Sequence, residues 1–64
     1  MNIIVRTTDG VRTIFRNQKE DLHEDVALAV VSGKGFILND TKHGLIAYGP
    51  GSVSRVSFIE DVSK

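Results

Sequence analysis

"VVSGKGFILND", Val30 to Asp40, sets two glycines around a lysine directly before an apolar run. Glycines, a lysine and the hydroxyl of Ser32 are the ingredients of a phosphate cradle, so the reading of this stretch decides what kind of fold surrounds it. Chain order separates the two readings. Phosphate cradles run strand, glycine loop, helix, because the free amides of a helix N-terminus face the anion. Here the loop follows a helix-like segment and precedes a strand-like one. It therefore stands at a helix C-terminus, where the dipole is negative and a left-handed glycine closes the last turn. Lys34 complements that end. The stretch is a helix stop.

Working back from the stop, "NQKEDLHEDVALAVVSG" (Asn17–Gly33) predicts the helix. Asn17 caps the first amides and Glu20 reaches back, as in a capping box. The acids of "EDLHED" occupy the first turns, where the macrodipole favours them. Leu22, Val26, Ala29 and Val30 form one stripe at helical spacing, while Leu28 and Val31 point away from it. A helix apolar on nearly every side is normally buried on every side.

Further upstream, "NIIVRTTDGVRTIFR" reads as a hairpin turning at Asp9-Gly10, since glycine accepts the positive φ of a type I′ turn. A two-residue turn there pairs Val5 with Ile14 and Ile4 with Phe15. One face then carries Ile3, Val5 and Ile14, and the other Ile4, Val11 and Phe15 among Arg6 and Thr13. Downstream of the stop, "GFILN" and "GLIAY" are strand-like runs joined by a polar turn. Pro50-Gly51 suits a type II turn, and "VSRVSFIE" is the last strand, with Val56 and Phe58 facing one way. The order strand, strand, helix, strand, strand, strand predicts an α+β fold, one helix packed on an antiparallel sheet, in a single domain spanning residues 1–64.

Sixty-four residues lie near the lower limit at which a hydrophobic core holds a fold unaided, and the chain has no cysteine with which to supplement one. Small chains of this kind commonly gain burial by self-association. Ile4, Val11 and Phe15 on the second hairpin face, with Leu28 and Val31 on the far side of the helix, are the expected interface of a homo-oligomer, a dimer joined across a two-fold axis. No segment has the apolar length to span a bilayer. The start, "MNIIVRTTDG", lacks a basic leader followed by an apolar core, so the expected location is the cytoplasm, with no membrane partner.

Formal charge sums to zero, with Arg6, Arg12, Arg16 and Lys19 set against Asp9 alone in residues 1–19, a surplus of three. Arg12 and Arg16 share a face in the register above, Arg6 lies on the other, and Arg55 sits in the last strand. Arginines on strands contact phosphates in sheet-type nucleic-acid readers, but edge strands also carry such charges merely to stay soluble. The neutral total and the four acids following in sequence favour the second reading. Nucleic-acid binding through Arg6, Arg12, Arg16 and Arg55 is the alternative, and a nucleotide-like ligand between subunits is a further one.

No catalytic or metal site is expected. Glu20, Asp21, Glu24 and Asp25 with His23, and His43 from a distant loop, fall short of a definite ligand set. Ser32, Ser52, Ser54, Ser57 and Ser63 stand in no nucleophile-elbow pattern. Gly49, Gly51, Ser52 and Tyr48 read as a turn rather than a ligand loop. The order of hairpin, acidic helix, "GKGFILND" and "GSVSRVSFIED" resembles small accessory proteins of bacteriophages and mobile elements. That resemblance implies binding of a host protein, or an oligomer that sequesters small nucleotides; from the residues themselves no catalysis and no cofactor are expected. The expected function is a self-associating protein-interaction module.

Overall fold

The computed structural model describes residues 1–40, 42 and 44–60. Its elements are β1 (Asn2–Thr7), β2 (Arg12–Phe15), α1 (Leu22–Val31), β3 (Phe36–Asp40), β4 (Gly44–Tyr48) and β5 (Val53–Ile59). The fold is α+β. The strands divide into two antiparallel sheets, a three-stranded one in the order β2-β1-β5 and the hairpin β3-β4. The helix packs against β5. Among the described residues no helix is long and apolar enough to cross a membrane.

The glycine loop is a helix stop. Gly33 has φ +74°, its N–H donates to Val30 O at 3.2 Å, and the Lys34 N–H donates to Ala29 O at 2.8 Å. That pair of bonds is a Schellman motif, which satisfies carbonyls the last turn would otherwise leave bare. A β-branched residue at the left-handed position is costly, so Gly33→Val should destabilise by about 1–2 kcal/mol. Gly33→Asn should restore most of that loss, because asparagine tolerates the conformation. Thermal unfolding of the two variants side by side is the measurement, and equal melting of parent and Gly33→Val would contradict it.

The helix N-terminus differs from expectation. Asn17 caps nothing: it sits at φ +59° with its N–H donated to Asn2 Oδ1 at 3.3 Å. The following Gln18 is bonded by its N–H to Met1 O at 2.8 Å and by Nε2 to Asn39 O at 2.9 Å. These tertiary bonds hold the segment against β1 and β3, so the helix begins at Leu22, after Asp21, with no side-chain cap. The capping box does not form.

The first hairpin is one residue out of the expected register. Its pairs are Ile3–Phe15, Ile4–Ile14, Val5–Thr13 and Arg6–Arg12. The Gly10 N–H donates to Thr7 O at 3.0 Å and the Thr7 N–H to Val11 O at 2.9 Å, with Gly10 at φ +93°. The loop therefore has three residues and ends in a glycine bulge, the alternative that Asp-Gly sequences also support. Across it the Thr7 hydroxyl donates to the Asp9 carboxylate and holds that carboxyl below the usual range. Its contribution to stability is present above the unfolded carboxylate pKa and lost as pH falls through the folded one.

The register sends Ile3, Val5 and Phe15 to the same face, where all three are buried with Val26 and Leu38. Around them pack Phe36, Ile46, Tyr48, Val53, Val56 and Phe58. Tyr48 meets Phe15 edge-on, ring centroids 6.3 Å apart at 77°. Helix and β3-β4 hairpin thus cover one face of the three-stranded sheet, and among the described residues no element covers the other, as antiparallel sheets allow.

Candidate functional site

Every strand of the three-stranded sheet contributes an arginine to the open face. Arg6 on β1 is paired directly with Arg12 on β2 and directly with Arg55 on β5. Directly paired residues project from the same side of a sheet, so the three form one row running across the strands. Neighbouring strands are about 4.8 Å apart, which makes the row roughly 10 Å long at the backbone. All three side chains are exposed. Like charges directly opposite each other destabilise a sheet by roughly a few tenths of a kcal/mol per pair. None of the three is paired with a carboxylate among the described residues.

A bulge in β5 makes this row compatible with the core. β1 and β5 shift register between Arg6–Arg55 and Thr7–Val53, which leaves Ser54 unpaired. The Ser54 hydroxyl donates to Arg6 O at 3.2 Å, within reach of Thr7 O at 3.4 Å. In a regular strand Val53 and Arg55 would share a face. With one extra residue Val53 turns inward against the core while Arg55 stays outward. The spacing Val53, Val56, Phe58, three and then two, is the trace of this bulge in the sequence.

The row borders a cavity of about 230 Å³ lined by Ile4, Arg6, Arg12, Arg55 and Ser57. No acid lines it. Across β2 a second cavity, of about 530 Å³, joins Arg12 and Arg16 to Lys42 and Asn17, with the buried carboxylate of Asp40 in its wall. Arg6 therefore lies with Arg12, Arg16 and Arg55, and not on the opposite face as the two-residue turn implied.

The acids of the helix and of the end of β5 lie elsewhere. Glu20 and Glu60 border a cavity on the helix side with Met1, His23 and Phe58, and Glu24 and Asp25 border another with Leu28 and Val31. The His23 ring stands edge-on to Phe58 at 5.7 Å, and its Nδ1 is 3.0 Å from Glu20 O. Among the described residues no group of three or more His, Cys, Asp or Glu side chains converges to hold a metal ion; His43 lies outside them. Ser32, Ser52 and Ser54 each donate to backbone carbonyls, Ser57 lines the arginine cavity, and Ser63 lies outside the described residues. Gly49 to Ser52 form the expected turn, with Gly51 at φ +73° and the Ser52 N–H donated to Gly49 O at 3.2 Å.

Of the residues expected at an interface, Leu28 is 68% and Val31 86% exposed. Val11 is exposed at the hairpin end and Ile4 is half-buried beside the arginines. Phe15 requires correction: it is 0% exposed and belongs to the core, because the register moves it to the covered face. Three exposed large apolar residues escaped the sequence reading: Ile37, Leu45 and, on the arginine face opposite Asn2, Ile59. Ile37 and Leu45 are 60% and 70% exposed on the outer face of β3-β4. The alternation of "FILND" and "GLIAY" contains the signal, since the covered face takes Phe36, Leu38, Ile46 and Tyr48.

Fold and site together define a small α+β domain with one basic sheet face and an acidic, apolar helix side. Compared with known proteins, the chain matches no family model, no curated protein and no solved structure.

Proposed function

We propose that the chain is a small, non-catalytic, self-associating protein-interaction module. One observation carries the reading: among the described residues five large hydrophobic side chains are buried, and six (Val11, Leu28, Val31, Ile37, Leu45 and Ile59) are exposed. Leu28 and Val31 stand on the helix side, and Ile37 and Leu45 on the outer face of β3-β4; exposed apolar patches of this kind mark interaction sites. A second copy supplies a partner surface at no cost in sequence, and pairing about a two-fold axis brings each patch against itself. The helix side, with Leu28 and Val31, and the outer face of β3-β4 are the surfaces proposed to join. A module of this kind suits a cytoplasmic accessory protein that binds and modulates a host protein.

Leu28→Glu is the test, since it charges the exposed side of α1 without touching the buried Val26. Sedimentation velocity should show a dimer for the parent and a monomer for the variant, with an unchanged circular dichroism spectrum. A parent that stays monomeric at high micromolar concentration would overturn self-association.

A further inference from the structure

We propose that the open face of the β2-β1-β5 sheet binds double-stranded nucleic acid, with Arg55, Arg6 and Arg12 contacting its phosphate backbone. The proposal stands apart from self-association, which uses the other side of the molecule. Three independent features of the face point to a polyanion.

The first is the choice of residue. The chain has four arginines and four lysines. All four arginines lie on or beside this sheet face, and three are directly opposed across strands. Solubility alone would be served equally by lysine, whereas the planar guanidinium makes bidentate bonds to phosphate. Opposed like charges repel in the free protein, and a bound polyanion relieves that repulsion.

The second is charge separation. The acids that follow the arginines in sequence are not their neighbours in space: Glu20, Glu24, Asp25 and Glu60 line cavities on the helix side, with the sheet between them and the row. A neutral total is therefore compatible with a local field of one sign. The track continues past the row, since Arg12 also borders the cavity that holds Arg16 and Lys42, three cations against the one buried carboxylate of Asp40.

The third feature selects the class of nucleic acid. Between the arginines lie Ile4 and Ser57, and among the described residues no aromatic ring lines the cavity. Single-strand binders need aromatic platforms on which unpaired bases stack. A straight row of cations without such rings suits a rigid duplex held by its backbone, bound without sequence preference. An acidic protein segment would demand only charge, and the experiment separates it.

The experiment follows fluorescence anisotropy of a labelled, mixed-sequence DNA duplex titrated with the full chain over a series of salt concentrations. Three phosphate contacts predict that log affinity falls against log salt with a slope of about −2.7. Arg6→Gln, Arg12→Gln and Arg55→Gln should each reduce the magnitude of that slope by about 1, and the triple variant should lose the salt-dependent binding. Melting temperature should be unchanged or raised, because the opposed charges are gone. A triple Arg→Lys variant should keep the slope and bind more weakly. Lys34→Gln, at the helix end and outside both cavities, should behave like the parent. The proposal fails if the triple Gln variant binds duplex as the parent does, or if the parent binds none at low salt. It also fails if a single strand of equal length binds more tightly, or if polyglutamate binds where duplex does not.

Discussion

Phe15→Ala is expected to abolish the cooperative unfolding transition or to move it below physiological temperature. Phe15 is fully buried, is paired with Ile3 across the hairpin and meets Tyr48 edge-on from the second sheet. It thus joins the three-stranded sheet to β3-β4 through a single side chain. Truncating a buried phenylalanine costs about 3–5 kcal/mol. A chain of 64 residues has roughly 3–10 kcal/mol of stability in total, so the loss is comparable to all of it. Ile14→Ala, on the open face and half-buried, should cost far less. Urea unfolding of both variants, at concentrations too dilute for self-association, compares them directly. If Ile14→Ala proves the more damaging, the hairpin has the two-residue turn and Phe15 faces outward.

Gly35→Ala should be the most damaging glycine substitution, for a reason unrelated to φ. A Cβ at Gly35 would stand 2.5 Å from the Tyr48 carbonyl oxygen and 3.4 Å from atoms of Gly49 and Pro50. These are backbone atoms and cannot rotate away. The strand that follows the helix stop would have to separate from the end of β4, and overpacking of this kind costs about 1–3 kcal/mol. Gly33 provides the contrast, because a Cβ there meets open space and only the left-handed backbone resists it. Asparagine should therefore rescue position 33 but not position 35. Thermal unfolding shows the loss, and hydrogen exchange of the amides of β3 and β4 should locate it. Unchanged protection in those two strands would mean that β3 leaves the helix without passing so close to β4.

Features governed by local chemistry were legible in the sequence. The helix stop depends on hydrogen bonds among Ala29, Val30, Gly33 and Lys34, all within one turn, and glycine at the left-handed position announces it. The Gly49–Ser52 turn and the element order were legible for the same reason. The helix start was not, although "NQKE" has the form of a capping box. Bonds from Asn17 and Gln18 to Asn2, Met1 and Asn39 outcompete it, and those partners are distant in sequence.

The arginine row shows the division most clearly. Read alone, the chain places arginines on or beside strands and acids at the helix start. It also places a turn at Asp9-Gly10, but that dipeptide is compatible with a two-residue or a three-residue loop, and the difference moves every side chain of β2 to the other face. What selects the loop is burial: Phe15, rather than Ile14, fills the space against Ile3, Tyr48 and Leu38. Arg55 reaches the row only because β5 pairs with β1 across the whole chain and carries a bulge at Ser54. Tertiary structure alone decided that three like charges stand side by side, because strand register is set by which side chains the distant core accepts, and no local preference encodes it.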